Sequence, residues 1–476
     1  MVNGGNEQGI LEGKWAAEEF TDGIAPSQWT GSAEILRAFD KFGLPVQYAQ
    51  CWVFAGVVTT ILRALGIPSR VVTNFCSAHD TDTSCTVDIH FLASTGKPIK
   101  ELNKDSLWMF HVWNDCWMAR PDLPEGYGGW QAVDATPQEK SDALYRAGPA
   151  SLRAIREGQC SLPYDTSFVF AEVQAEKCYW LVDAKKHVRL NEVRKNEIGR
   201  MIITKRPRAE VESGADEIMD ITSSYKQTEM PQEKREEIAS TLLAGHSSVL
   251  RAHQAVQSAK SDVRFDLRLP HCTPMGQDLT ATLSMLNESG SVRSVKVCLR
   301  LSAAAYTGEQ GRKIASETCT VDIKPGERYS VVLLCSVRDY QEKLKGELAT
   351  FVVSTVARVA ETGQVFTAMD DLHLKLPDVE IEMLEQPLLN EPFKAVLKVA
   401  NPLPITLTNC SFIVEGPGLL SANKIACSDI PSRGIARVPI TVTPWKDGER
   451  TIIAHFRSKQ LQDVNGSVTL FVPSHL

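Results

Sequence analysis

Near Ser261 the chain changes its hydrophobic period, and no single fold can absorb that change. From there to the C-terminus apolar residues recur every second position in short runs separated by Gly, Pro and Asp turns. The first runs are Asp262–Leu269, Asp278–Leu286, Val292–Ala304, Ala315–Ile323, Tyr329–Val337, Thr350–Val359 and Gln364–Leu376. Seven short strands at this spacing predict an antiparallel sandwich. A second series begins after Pro377: Val379–Leu384, Phe393–Val399, Leu407–Val414, Ile435–Thr443, Thr451–Phe456 and Ser467–Val472. Ahead of Ser261 the texture is mixed. Ser32–Phe42 and Cys51–Leu65 carry helical spacing, whereas Arg70–Phe75, Thr86–Leu92, Leu107–Ala119 and Gly129–Ala135 read as strands. The stretch from Tyr225 to about Ala259 is polar and charged and reads as a linker or a solvated helix.

The bulk properties exclude several classes. At 476 residues, with 43% hydrophobic and 23% charged residues, the chain has material for several buried cores. A net charge of −7 and the lack of a basic run argue against a nucleic-acid partner. The most apolar stretch, Cys51 to Ile67, is broken by Thr59, Thr60 and Arg63 and is too short for a transmembrane segment. Residues 1–7 have neither the basic start nor the apolar centre of a signal peptide. The twelve cysteines are scattered without a C-x-x-C pair, which predicts reduced thiols and a cytoplasmic location, with export lacking a signal peptide as the variant of it.

Three residues have a joint chemical logic. Cys51 opens an apolar helical stretch, where the positive end of the helix dipole favours a thiolate. His111 lies in the aromatic strand Trp108-Met-Phe-His-Val-Trp113, and Asp134 ends the next strand. A thiolate attacks a carbonyl, an imidazole moves the proton, and a carboxylate fixes the imidazole tautomer. Neighbouring antiparallel strands can set His111 and Asp134 side by side, opposite the helix bearing Cys51.

The segments Tyr48-Ala-Gln-Cys-Trp-Val-Phe-Ala55, Arg70–Asp80, Trp108–Trp113, Arg120-Pro-Asp-Leu-Pro124 and Gly129–Glu139 together resemble the animal transglutaminases, in particular members of the clotting factor XIII A chain type. The resemblance covers essentially the whole chain but begins inside the family's catalytic core. It implies an α+β papain-like core followed by two immunoglobulin-like β-sandwich or barrel domains. The expected division is a partial core at 1–245, a linker at 246–261, and sandwiches at 262–376 and 377–476. Apolar surface that the absent part of the core would cover is expected to be exposed.

The resemblance implies calcium-dependent acyl transfer from peptide glutamine to lysine or polyamine amines through a Cys51 thioester. The partners would be proteins with accessible Gln and Lys. Cys51 would be the nucleophile, His111 the general base and acid, and Asp134 the orienting carboxylate. Trp15 is similar to the indole that donates to the oxyanion, Trp108 to the other wall of the substrate tunnel, and Tyr306 to the gate over the cysteine. One calcium site is implied at Asp80, Asp82, Ser84 and Asp105. A second would use Gln174, Glu176 and Glu229, with Lys234 standing where the family has an anion and Glu233 or Glu236 as substitutes. A third, near the start, keeps Asn3 and Glu7. Two other readings stand beside this one: a scaffold that keeps the fold without the chemistry, and a papain-like cysteine peptidase.

Overall fold

The computed structural model describes residues 2–5, 9–15, 20, 22–82, 84–207, 217–227, 233–234, 237–238, 261–270, 272–341 and 350–474. The expected linker at 246–261 lies outside the described residues, apart from Ser261.

The first part runs β1 (Leu11–Gly13), α1 (Ser32–Phe42), β2 (Val46–Ala49), α2 (Cys51–Ala64), β3 (Ser69–His79), β4 (Thr86–Leu92), β5 (Ser106–Met118), β6 (Gly129–Asp134), β7 (Lys140–Ser141), β8 (Leu144–Tyr145) and β9 (Ala147–Ser151). It continues with α3 (Leu152–Glu157), α4 (Thr166–Gln174), β10 (Glu176–Val182), β11 (Val188–Arg194), β12 (Met201–Lys205), β13 (Ile218–Asp220) and α5 (Thr222–Tyr225). Six strands form one antiparallel sheet in the order β13-β12-β3-β5-β6-β9, and β11-β10-β4 form a smaller one. Helix α2 is largely apolar and buries Cys51, Val53, Phe54, Ala55, Val57 and Val58. Asn114 of β5 pins the sheet to this helix by donating its amide to Ala55 O (2.9 Å) and Thr59 Oγ1 (2.6 Å). At the far ends of α1 and α2, Phe42, Leu44 and Leu65 are 64%, 67% and 70% exposed.

The first sandwich pairs a three-stranded sheet, β14 (Val263–Arg268), β16 (Leu279–Asn287) and β19 (Arg328–Cys335), with a five-stranded one. The latter holds β15 (Thr273–Pro274), β17 (Arg293–Ala304), β18 (Gln310–Ile323), β20 (Thr350–Val359) and β21 (Val365–Lys375); α6 (Val337–Gln341) follows β19. The second sandwich packs β22 (Glu380–Met383), β23 (Phe393–Ala400) and β26 (Ile435–Val442) on β24 (Ser411–Gly416), β25 (Leu420–Ala426), β27 (Gly448–Arg457) and β28 (Val464–Val472). Strand β25 escapes the alternation rule because it is nearly all exposed and carries too few apolar residues to register. Leu407, expected within a strand, makes only an isolated bridge to Ile430.

Both sandwiches touch the core. The β17–β18 turn lies along β5, with Met109 N donating to Tyr306 O (2.7 Å). Gly308 is required there: its φ is +80°, and a Cβ would sit 2.1 Å from Leu107 O. From the second sandwich, Arg457 donates to Gln28 Oε1 (2.7 Å), and Thr30 donates to Glu415.

Tyr225 corrects the sequence reading, which placed it at the start of a polar linker. It is fully buried under the large sheet, because its hydroxyl serves two groups that have left water. Trp113 Nε1 donates to it (2.8 Å), and it donates to Asp115, which also takes an ion pair from Arg70 (2.8 Å). Burial pushes the Asp115 carboxyl up to about 6, against the pull of Arg70 and Tyr225. A carboxyl that holds its proton longer in the fold than in the unfolded chain lowers stability as pH rises, here from about 4 to about 6. Tyr225→Phe removes a donor to that buried carboxylate and is expected to cost about 1–3 kcal/mol. The deficit should be larger at pH 8 than at pH 5, read as the denaturation midpoint of the core; an equal midpoint shift at both values would show that Tyr225 does not support the ionised form.

Candidate active site

The extended Gln50 precedes the first turn of α2, and its amide donates to Lys14 O (2.9 Å), tying the helix start to the strand leading to Trp15. Cys51, the first helical residue, is fully buried among Ala55, Trp108, Val112 and Tyr306. Residue His111 pairs with Asn74 across the β3–β5 ladder, and β6 ends at Asp134 beside it. His111 Nε2 lies 2.7 Å from Asp134 Oδ2, and both side chains are buried. Thr136 N donates to Asp134 Oδ1 (2.8 Å), so the turn after β6 sets the carboxylate's orientation. With Nε2 taken by Asp134, Nδ1 is the ring nitrogen left for the Cys51 thiol. Among the described residues His111 Nδ1 is buried without a hydrogen-bond partner, and burial works against a charged ring here, yet the charge of Asp134, the hydrogen bond to it, and the neighbouring Cys51 and Glu172 outweigh it. They hold the His111 pKa well above the ordinary imidazole value. The three expected residues therefore converge in one dry pocket.

Aromatic residues close the pocket. Trp15 Nε1 donates to Tyr306 Oη (2.8 Å), and Tyr306 packs against Cys51. Tyr306 stacks on Phe110 (4.9 Å between centroids) and meets Trp108 edge-on (5.7 Å). Burial first, and then Cys51, push the Tyr306 hydroxyl well above the usual phenol range, so it stays a neutral donor. Trp108 stands edge-on over the His111 ring (4.9 Å) and anchors its own N–H on Ser106 Oγ (3.0 Å). In this conformation the indole expected to serve an oxyanion serves the tyrosine.

Two residues of the pocket escaped the sequence reading. Gln138 Nε2 lies 3.0 Å from Asp134 Oδ2, 3.0 Å from Glu172 Oε1 and 2.9 Å from His111 Nε2. Glu172 Oε1 is 3.7 Å from His111 Nε2 and almost completely buried. Burial pushes the Glu172 carboxyl up to about 8; His111 opposes the rise, Asp134 adds to it, and Gln138 opposes it. A signal was present: Glu172 is the only charged residue of α4, between Phe170, Ala171 and Val173. Such a carboxylate needs a buried partner.

The acidic loop after β3 gathers as expected. Ligand oxygens of Asp80, Asp82 and Asp105 all lie within 4.8 Å of one another, a donor set suited to a hard cation. Asp80 accepts backbone N–H bonds from Asp82, Ser84 and Cys85 (3.2, 3.3 and 2.6 Å). Even so, burial first, and then the charge of Asp105, push its carboxyl up to about 7, against those bonds. The Ser84 hydroxyl is turned to Thr86 Oγ1 (2.8 Å). The other implied set is not assembled among the described residues. Gln174 donates its amide to Ile155 O and Tyr225 O (3.4 and 3.5 Å), and Glu176 Oε1 lies 3.9 Å from Lys195. No trio of His, Cys, Asp or Glu gathers around them among the described residues. Glu229, Glu236 and Glu7 lie outside the described residues. Lys234, expected to oppose a cation, pairs with Glu237 (3.0 Å). Asn3 accepts from Gly5 N (2.8 Å).

Comparison with known proteins follows this geometry. Residues 40–135 match the Transglutaminase-like superfamily, and residues 263–368 and 377–472 each match the Transglutaminase family, C-terminal ig like domain. The chain is 40% identical over 471 residues to the hemocyte protein-glutamine gamma-glutamyltransferase of Tachypleus tridentatus, covering 98% of this chain and 61% of that protein. It is 36% identical to the human coagulation factor XIII A chain, over 98% of this chain and 62% of the other. The crystal structure of red sea bream transglutaminase superposes with a TM-score of 0.84 at 31% identity, covering all of this chain and 68% of that one. The chain thus spans little more than half the length of the curated relatives it matches. With a core and two C-terminal domains that match in sequence and in fold, the chain belongs to the transglutaminase family.

Proposed function

We propose that the chain carries a calcium-activated protein-glutamine γ-glutamyltransferase centre, captured with its gate closed. The observation that carries this reading is the dry convergence of Cys51, His111 and Asp134 beneath the Trp15–Tyr306 hydrogen bond (2.8 Å). Tyr306 occupies the Trp15 N–H and touches the thiol, so substrate entry requires it to leave, freeing an indole N–H beside the thiol. Cys51 sulfur then attacks the γ-carboxamide carbon of a peptide glutamine, and the Trp15 N–H stabilises the oxyanion. His111, held charged by Asp134, gives its proton to the departing ammonia. The thioester remains in a pocket walled by Trp108 and Trp52, which disfavours water. An incoming lysine or polyamine amine attacks it, His111 takes the amine proton, and the thiolate returns as an isopeptide bond forms.

Asp80, Asp82 and Asp105 would hold calcium, with Ser84 completing the set after turning from Thr86. The ion supplies charge neutralisation that those crowded carboxylates otherwise lack. A second set at Gln174 and Glu176 would require these side chains to leave Ile155, Tyr225 and Lys195. All twelve cysteines are free thiols, which supports a cytoplasmic location. No described helix is long and apolar enough to cross a membrane.

Cys51→Ala should abolish calcium-dependent incorporation of a dansyl amine into a glutamine-bearing protein; residual turnover within about tenfold would place the nucleophile elsewhere, since losing a covalent route costs orders of magnitude. Tyr306→Phe removes a hydrogen bond worth about 1–1.5 kcal/mol net and should speed iodoacetamide alkylation of Cys51 in the absence of calcium about 5- to 10-fold. An unchanged alkylation rate would remove Tyr306 from the gate. For the acidic loop, calcium at about 100 times its dissociation constant should stabilise the protein by about 2.7 kcal/mol over chelator. Asp82→Asn should lose most of that gain, and full retention would place the stabilising ion at another site.

A further inference from the structure

Two carboxyl groups lie within reach of a single imidazole N–H, and catalysis by a Cys–His pair tolerates only one arrangement of them. Asp134 Oδ2 is 2.7 Å from His111 Nε2 and Glu172 Oε1 is 3.7 Å from it. Both acids are buried, so no bulk water separates them. The group between them is the Gln138 amide, whose nitrogen is 3.0 Å from each carboxylate oxygen. That nitrogen is also 2.9 Å from His111 Nε2 and has only its two hydrogens to give, so it donates to the carboxyl oxygens; the flipped amide would set its oxygen against the Asp134 carboxylate. Glu172 is fixed independently from behind, since Asn74 of β3 donates to its backbone carbonyl (2.9 Å). The titratable groups facing it are His111 from β5 and Asp134 from β6.

We propose that Gln138 is a positioning residue for the acyl-transfer reaction. By donating one amide hydrogen to each carboxyl group, it keeps Glu172 off His111 Nε2 and leaves that N–H to Asp134. The inference rests on the acyl-transfer reading above. Without Gln138, the Glu172 side chain has no partner for Oε1 except the imidazole 3.7 Å away, and a short rotation brings them together. The ring would then follow Glu172 and carry Nδ1 out of line with Cys51. The Gln138 side-chain hydrogen bonds among the described residues go to His111, Asp134 and Glu172 and not to Cys51, so its action runs through the imidazole.

The test is a suppression experiment with amine-incorporation kinetics and nitrogen-15 imidazole resonances of histidine-labelled chain. Gln138→Met keeps the volume and removes both donors. It should lower kcat about 10- to 100-fold with KM within about twofold, the scale of a misaligned acid–base group. It should also shift the His111 nitrogen signals. Glu172→Met added to that variant removes the competing acid and should return most of the lost kcat and restore the resonances. Gln138→Glu, which exchanges the donors for acceptors at constant shape, should reproduce the kcat loss and serves if Gln138→Met does not fold. A double variant no more active than the single one, or a change confined to KM, would overturn the proposal. If wild type shows no Cys51-dependent incorporation, the acyl-transfer reading fails instead, and the resonances alone still report whether Gln138 holds the imidazole on Asp134.

Discussion

An imidazole charged inside a dry protein must be held by a counter-charge at contact distance, because burial alone drives the proton off. His111 meets that condition through Asp134 at 2.7 Å, and the surrounding architecture follows from the need to hold this pair. Strands β5 and β6 must be neighbours, β6 must end at the carboxylate, and the Thr136 amide must hold its second oxygen. Helix α2 must begin opposite, and Asn114 fastens it to the sheet through two hydrogen bonds. Antiparallel pairing has little play in register, since a one-residue slip would turn His111 to the opposite face.

The same dryness explains the contribution of the first sandwich. A thiol kept in an open cleft meets water and oxidants, whereas Cys51 lies under a tyrosine that belongs to a separate domain. The turn between β17 and β18 reaches the site because Gly308 lets the backbone pass against Leu107. Over the thiol the lid is held by few bonds, Trp15 to Tyr306 and Met109 N to Tyr306 O, while the rest of the first sandwich is tied to the core by Arg200 to Asp370 (2.7 Å), Arg194 to Thr367 O (2.6 Å) and Asn191 to Val365 O (3.0 Å). The few bonds over the thiol, each worth about 1 kcal/mol net, set the barrier to a local movement of the β17–β18 turn, whereas parting the two domains would break the others as well.

Crowded carboxylates appear twice in the core and are managed differently. Around His111, two buried acids share one amide donor and one imidazole. In the acidic loop, Asp80, Asp82 and Asp105 receive backbone N–H bonds, yet Asp80 is still pushed up to about 7. Backbone dipoles therefore leave charge uncompensated there. An acid cluster satisfied by fixed donors suits positioning, and one left short of positive charge suits a cation.

The sequence by itself determined the three-part organisation, most strands of the two sandwiches, and α1, α2 and β3 to β6 of the core, while α3, α4 and β9 to β13 went unread; it also singled out Cys51, His111 and Asp134, which the fold brings together. Those features depend on local period and on neighbours along the chain: α1 and β4 occupy the expected residues, and α2 begins at the expected Cys51. Strand β25 did not register, because a strand with few inward apolar residues has no period to read. Tertiary structure alone decided that Tyr225 belongs to the core, since its partners Trp113 and Asp115 lie more than a hundred residues away. It alone brought Glu172 and Gln138 to the imidazole, and it set Trp15 against Tyr306 across 291 positions. Hydrophobic periodicity records which face of an element is buried; it carries no record of which other element covers that face, and a buried polar group is given its partner only by that covering element.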